Sequence, residues 1–267
     1  IDIESTAETN RLFQSNRFDA VLNLAARAGV RYSITNPHIY FSTNVTGSLN
    51  ILEAMRASGT KKYVLASTSS LYAGQSMPFV ESLPVNCPIS PYAASKKAAE
   101  ALAYSYHHLF NIDCTILRYF TAYGPEGRPD MSYFKFIQSI DNGEKLELYG
   151  DGSQARDFTY VDDIALGTIS AIRPLGFEII NLGGGDRPVT ILEMIKKLEV
   201  LLGRPALIKK KPFHAADLKA TSADISKARD LLRWKPATTL DQGLATTVEW
   251  YKKHQPWSSS ITVKHES

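Results

Sequence analysis

The chain is poor in cysteine, with Cys87 and Cys114 alone among 267 residues. That excludes a disulfide framework and points to a reducing, cytosolic compartment. Zinc-type Cys/His spacing is missing and the six histidines are scattered, so no metal site is expected. His107-His108 reads as one exposed and one packed residue of a long helix. No apolar run reaches the ~18–20 residues of a membrane span, and no secretory leader is expected. Charge of one sign is scarce too. Thirty basic against 27 acidic residues leave +3, too little to mark a nucleic-acid binder. The single basic run, Lys209-Lys210-Lys211, reads as a strand end or solvated face. A Gly-x-Gly-x-x-Gly loop is also lacking. Gly183-Gly184-Gly185 lies after a strand, but Asp186, Arg187 and Pro188 follow it, so it reads as a plain turn.

What is present is ordinary for a globular chain: 44% hydrophobic and 21% charged residues, and enough length for one or two domains. The pattern alternates. Helical periodicity over Thr6–Ser15, with Thr6 as N-cap, precedes a strand-length apolar run at Ala20–Ala25. A helix over Tyr40–Ser58 stops before Gly59, and Lys62–Ala66 is the next strand, delivering Ser67 to Ser70 at its end. Ser90-Pro91 opens a helix that runs to about Phe110. Asp113–Phe120 is another strand. Buried, non-alternating strands separated by helices predict an α/β fold, a doubly wound parallel sheet with both faces covered. Ligands of such sheets bind at the carboxyl ends of the strands. After Thr121 come a turn-rich loop (Tyr123–Asp130), a helix (Met131–Asn142), a strand (Leu146–Tyr149), a helix (Val161–Ile172), a strand (Glu178–Leu182) and a Thr190-capped helix to Leu202. The stretch 206–236 reads as irregular, and Leu240–His254 as a closing helix.

Tyr92 and Lys96 stand at i and i+4 on the third of these helices, with Tyr92 24 residues after Thr68 of the hydroxyl cluster Ser67-Thr68-Ser69-Ser70. An ammonium beside a phenol favours the phenolate, and a phenolate near neutral pH is a general base for an alcohol. Thirteen tyrosines and 17 lysines make roughly one such pair an accident of composition. Its place after a strand-end hydroxyl cluster is what lends it meaning.

The chain resembles the extended short-chain dehydrogenase/reductases that epimerise nucleotide sugars. The motifs run in order over nearly the whole length: Leu24-Ala25-Ala26, Asn44-Val-Thr-Gly47, Ser67-Thr-Ser-Ser-Leu-Tyr72, Ser90-Pro-Tyr-x-x-Ser-Lys96, Leu117-Arg-Tyr-Phe-Thr121, Tyr123-Gly-Pro125, Arg156-Asp-Phe-x-Tyr-Val-Asp162 and Asn181-Leu-Gly183. The resemblance implies a Rossmann-type NAD-binding domain (1–121, 153–184, 239–254) and a smaller α+β substrate domain (122–152, 185–238). It implies Tyr92 as base, Lys96 as its partner on the nicotinamide ribose, and Thr68 sharing the proton at the sugar 4-hydroxyl. Asp2 and Ile3 would meet adenine, and Leu24, Ala25 and Ala26 would form a shelf under NAD. Asn44, Ser67 and Tyr119 would line the cofactor. Arg156 would neutralise the uridine diphosphate, with Tyr149 and Asp217 on the uridine side. His214 stands where relatives often have Arg or Gln, so a diphosphate contact is lost there or replaced by His214. A homodimer through the helices 40–58 and 90–110 is the family habit.

Relatives that dehydrate the sugar carry Asp-Glu after the catalytic Thr, and those that decarboxylate carry a Glu. Ser69-Ser70 supplies neither, which leaves epimerisation. Ser69, Ser70, Thr121 and Arg128 resemble the carboxylate-binding set of UDP-glucuronate 4-epimerases, since a guanidinium and hydroxyls suit a carboxylate. Neutral UDP-glucose or UDP-N-acetylglucosamine is the alternative, and Arg128 pairing with Asp130 is the local one. The chain starts where the family's third strand ends. A βαβα unit of about 50–60 residues, with the glycine-rich pyrophosphate loop, is therefore expected ahead of it. The other expectation is a truncated, non-catalytic nucleotide-sugar-binding form.

Overall fold

A computed structural model of the chain describes residues 1–185, 187–213, 218–258 and 261. The helices and strands follow in the order α1 (Thr6–Ser15), β1 (Ala20–Asn23), α2 (Val30–Thr35), α3 (Pro37–Phe41), α4 (Ser48–Ser58), β2 (Lys62–Thr68), α5 (Pro91–Phe110), β3 (Asp113–Tyr119), β4 (Thr121–Tyr123), α6 (Ser132–Asn142), β5 (Lys145–Tyr149), β6 (Ala155–Arg156), β7 (Phe158–Tyr160), α7 (Val161–Ser170), β8 (Phe177–Leu182), β9 (Val189–Thr190), α8 (Ile191–Leu202), β10 (Leu207–Lys211), α9 (Leu240–Lys253) and α10 (Gln255–Ser258).

The chain divides into two compact units. The first takes 1–119, 166–182 and 224–234, and the second takes 120–165, 183–223 and 235–267. In the first, β1-β2-β3-β8 form a wholly parallel sheet. Every residue of β2 is buried, which is why its apolar residues do not alternate with polar ones. Phe13 of α1, Leu52 and Met55 of α4, and Ala99 and Ala103 of α5 pack with Tyr63, Leu65, Cys114 and Ile116 on one face. On another part of this unit Gly167 faces Leu182 and Trp234, where a Cβ would come within 2.9 Å of Leu182. The parallel α/β class expected from the alternation is observed.

Local details differ from expectation where side-chain hydrogen bonds decide. Ser5, not Thr6, caps α1, its hydroxyl accepting from the Glu8 amide at 3.3 Å. The expected helix over Tyr40–Ser58 starts earlier, at Pro37, and carries a π-helical turn at Ser42–Gly47. The stretch 206–236 is not wholly irregular, because β10 pairs in parallel with β5.

The second unit is built round an aromatic core. Phe134, Ile137 and Ile140 of α6, Leu146 and Leu148 of β5, Met194 and Leu198 of α8, and Leu244, Val248 and Tyr251 of α9 share it. The closing helix, assigned to the first domain from the resemblance, thus belongs to this unit because its apolar stripe is buried here. Segment 153–165 joins the same unit. The triple-glycine run has a packing reason as well. Asp157 is buried, and its carboxylate accepts from the amides of Gly184, Gly185 and Ala223. A Cβ on Gly184 would lie 2.3 Å from Asp157 Oδ1.

Candidate active site

Helix α5 begins where local chemistry says it should. The Ser90 hydroxyl accepts from the Ala93 amide at 3.1 Å, Pro91 is the first helical residue, and Asn111 closes the helix in the left-handed region. This start places Tyr92 in the first turn and Lys96 one turn on, after a strand of the parallel sheet. Tyr92 is half-buried, its ring edge-on to Tyr40 at 6.1 Å. Lys96 is 4% exposed. Among the described residues no carboxylate lies within 4.0 Å of its ammonium. Burial pulls Lys96 down to about 8, against the upward pull of Glu100.

Thr68 ends β2 and is buried. Its hydroxyl oxygen accepts from the Ser70 amide at 3.1 Å and caps the short 3-10 turn Ser69–Tyr72. Among the described residues its own proton has no acceptor, so it remains available to an incoming oxygen. Ser69 and Ser70 follow, both half-buried.

The segment after β1 carries Leu24, Ala25 and Ala26. Leu24 is exposed, while Ala25 and Ala26 line a cavity of about 570 Å³ with Ile1, Asp2, Ile3, Glu4, Arg27 and Thr43. Four residues expected at a cofactor therefore share one cavity: Asp2, Ile3, Ala25 and Ala26. Ile1, Glu4, Arg27 and Thr43, which no motif marks, line the same cavity. The hydroxyls of Ser42 and Thr43 donate to the Glu4 carboxylate and hold it below its ordinary range.

Three residues expected to line the cofactor spend their polar atoms inside the protein. Asn44 Oδ1 accepts from the Arg27 amide at 2.8 Å, and its Nδ2 donates to the Arg27 carbonyl at 3.0 Å and to Ser95 Oγ at 2.9 Å. Ser95 in turn donates to the Tyr92 carbonyl at 2.8 Å. Asn44 thus ties the segment after β1 to the first turn of α5. The Tyr40 hydroxyl adds a bond to the Ala28 carbonyl at 3.0 Å. Ser67 donates to Glu100 Oε1 at 2.6 Å. The Tyr119 hydroxyl pairs with Thr168 at 2.7 Å, and burial, opposed by that bond, pushes it up to about 12.

In the second unit Thr121 opens β4, its amide donating to the Asp157 carbonyl at 3.2 Å. Arg128 makes a two-pronged pair with Asp130, Nε to Oδ1 at 2.9 Å and Nη2 to Oδ2 at 2.6 Å. Both side chains are about half exposed, 45% and 55%. Burial opposes the Asp130 charge, yet the guanidinium holds its carboxyl below the ordinary range. Tyr149 ends β5 and accepts from the Gln154 side-chain amide through its carbonyl. Arg156, in β6, donates to the Ala155 carbonyl at 2.9 Å. His214 and Asp217 lie outside the described residues. Neither a helix long and apolar enough to cross a membrane nor a metal-binding cluster occurs among the described residues.

Residues 1–183 match the family described as NAD dependent epimerase/dehydratase. The chain is 54% identical, over 98% of its own length and 81% of the other's, to a UDP-glucuronate 4-epimerase of Thermodesulfobacterium geofontis. The crystal structure of UDP-glucuronic acid 4-epimerase from Bacillus cereus, in complex with UDP-glucuronic acid and NAD, has a TM-score of 0.89 at 37% identity. It covers 95% of this chain, which covers 80% of it. A UDP-glucose 4-epimerase from Thermotoga maritima, solved with UDP-glucose, is similar at a TM-score of 0.89 and 31% identity, with 96% and 84% covered. With more than two thirds of its residues matched by the family and a relative at over half identity, the chain belongs to the NAD-dependent epimerase/dehydratase family.

Proposed function

We propose that the chain is an NAD-dependent epimerase that inverts C4 of a UDP-sugar, with UDP-glucuronate and UDP-galacturonate as its pair. The observation that carries this is the buried Lys96, free of any ion pair among the described residues, one helical turn from Tyr92. The donor set fits the cofactor. Asp2 and Glu4 present carboxylates at the cavity that Ala25 and Ala26 line, suited to ribose hydroxyls and an adenine amine. When bound, NAD supplies the oxidation, accepting a hydride from C4 and returning it to the other face.

Tyr92, as phenolate, takes the proton of the 4-hydroxyl. The Lys96 ammonium stabilises that phenolate, and the Thr68 hydroxyl, whose proton lacks an acceptor among the described residues, holds the sugar oxygen. The 4-keto sugar rotates, and Tyr92 returns the proton to the inverted alcohol. Ser69 and Ser70 offer hydroxyls where dehydration or decarboxylation would need an acid. Thr121, Arg128, Tyr149, Arg156, His214 and Asp217 are assigned to the substrate, Arg156 on the diphosphate and Arg128 on the sugar carboxylate. Tyr119, Ser67 and Asn44 act behind the cofactor, through the bonds already described.

A second reading, a neutral UDP-hexose, is favoured by one observation: Asp130 already fills the Arg128 fork. Two free cysteines suit a cytosolic setting. Exposed Tyr104 and Leu109 on α5, with Leu49 on α4, suit a homodimer through those helices.

Tyr92→Phe tests the mechanism. Turnover is expected to fall by about 10²–10⁴-fold, while calorimetric UDP binding persists. Wild-type turnover in that variant removes Tyr92 from the chemistry. UDP binding without turnover in the unaltered protein would leave a nucleotide-sugar-binding protein.

A further inference from the structure

The sheet register sets one buried group behind the dyad. Ser67 of β2 is the direct partner of Arg118 of β3. Both side chains reach the same carboxylate, that of Glu100 on α5. Arg118 donates through Nε to Oε1 at 2.9 Å and through Nη2 to Oε2 at 2.8 Å, while Ser67 donates to Oε1 at 2.6 Å. The two charged side chains are each 1% exposed. Glu100 stands four residues after Lys96 and eight after Tyr92, so the three share one helix face.

We propose that Glu100 is a positioning residue that acts through Lys96: its carboxylate, clamped by Arg118 and Ser67, is the anion that keeps the Lys96 ammonium charged beside Tyr92. The inference rests on the proton-transfer role assigned above to Tyr92 and Lys96. A buried ammonium with no opposite charge nearby tends to lose its proton. Lys96 makes no contact ion pair among the described residues, so its counter-charge must act from a step away. Glu100 is fixed at that step by three hydrogen bonds from two neighbouring strands.

The other groups around the network do not replace it. Lys97 on α5 lies 3.7 Å from Glu100 Oε2 and is a cation. Arg118 on β3 is a cation too. Tyr72, after β2, accepts from Arg118 Nη1 at 2.9 Å, and burial pushes its phenol up to about 12, so it stays neutral. Glu81 accepts from the Asn181 amide at 2.8 Å through its carboxylate, and burial raises it towards the neutral acid. From the π-helical turn and α3, Asn44 and Tyr40 bring no charge. Burial lowers the Lys96 ammonium, and the Glu100 carboxylate pulls it back towards the charged form.

The alkaline limb of the turnover–pH profile reports loss of the Lys96 proton. Glu100→Gln is expected to move that limb down by about one pH unit. A ¹³C NMR titration of the Lys96 Cε, assigned by its loss in Lys96→Met, is expected to show its midpoint moving the same way without any turnover. Glu100→Gln strands Arg118, so Glu100→Gln/Arg118→Met removes the pair as a neutral unit and is expected to shift the limb and midpoint the same way but by less, since the Arg118 cation is gone as well. Folded variants whose limb and midpoint stay at the wild-type pH overturn the proposal. So does a drop in turnover at all pH values without a shift, since that is what a structural role gives. If Tyr92→Phe keeps its activity, the mechanism fails while the NMR midpoint still judges Glu100.

Discussion

In the proposed function Arg128 is the residue assigned to the sugar carboxylate. A guanidinium that makes two parallel bonds to one carboxylate can make the same two to another, because the geometry of a sugar acid is that of Asp130. The Asp130 pair is half exposed, so exchange does not require breaking a buried interaction. Charged hydrogen bonds contribute about 1.5–3 kcal/mol, which corresponds to roughly 10–100-fold in affinity. Arg128→Ala is therefore expected to raise KM for UDP-glucuronate by about that factor and leave KM for UDP-glucose close to wild type. Steady-state kinetics on both substrates checks this, and equal effects on the two would sink the glucuronate assignment. Gly184 illustrates a different kind of residue. Its lack of a side chain makes room for the Asp157 carboxylate, which accepts from its amide.

At the scale of elements, α5 holds the proposed Tyr92/Lys96 dyad and is aligned by both its start and its flank. The Ser90 cap and Pro91 set where the helix begins, and the Asn44–Ser95 bond holds its first turn to the segment after β1. The helix is long, 20 residues, and packs Ala99 and Ala103 in the core, so losing the cap does not unfold it. Ser90→Ala is expected to lower stability by about 1 kcal/mol, read as a lower urea midpoint with an unchanged slope. It is also expected to lower kcat more than it raises KM, because fraying begins one residue from Tyr92. A variant with lower stability and unaltered kcat would show that the Asn44–Ser95 tie alone keeps Tyr92 in place. Helices α8 and α9 begin with reciprocal capping boxes, Thr190 with Glu193 and Thr239 with Gln242.

For the whole molecule, the charged Lys96 is a burden on folding. Its folded pKa of about 8 lies below the 10.5 of an ordinary lysine. The folded protein therefore binds fewer protons between those values, and stability from this group rises with pH from 8 to 10.5. Below pH 8 the full penalty applies, about 3 kcal/mol from the size of that shift. Lys96→Met is thus expected to be inactive yet more stable at pH 7, by a few kcal/mol, with the gain shrinking to under about 1 kcal/mol at pH 10. Denaturant unfolding at the two pH values measures it. A gain that does not depend on pH would mean that packing, not charge, is what the substitution changes. Stability given up at a working residue is common in enzymes.

The linear order of residues already determined most of the first unit and the spacing of Tyr92 and Lys96. Helix periodicity, strand-length apolar runs, the Ser90-Pro91 start and the i, i+4 spacing of Tyr92 and Lys96 are local features, legible without neighbours in space. Asp2, Ile3, Ala25 and Ala26, placed at a cofactor by motif, do meet in one cavity. What the tertiary structure decided is which polar atoms are spent and which are left over. Ser67, Asn44 and Tyr119 look like ligand contacts along the chain, but their partners Glu100, Ser95 and Thr168 come from 33 to 51 residues away. The closing helix joined the second unit because its apolar stripe found a core there. Arg118 and Ser67 meet at Glu100 only because the parallel register of β2 and β3 sets them side by side. A slip of one residue would send one of them to the opposite face, so no reading of the chain alone could have joined them to Lys96.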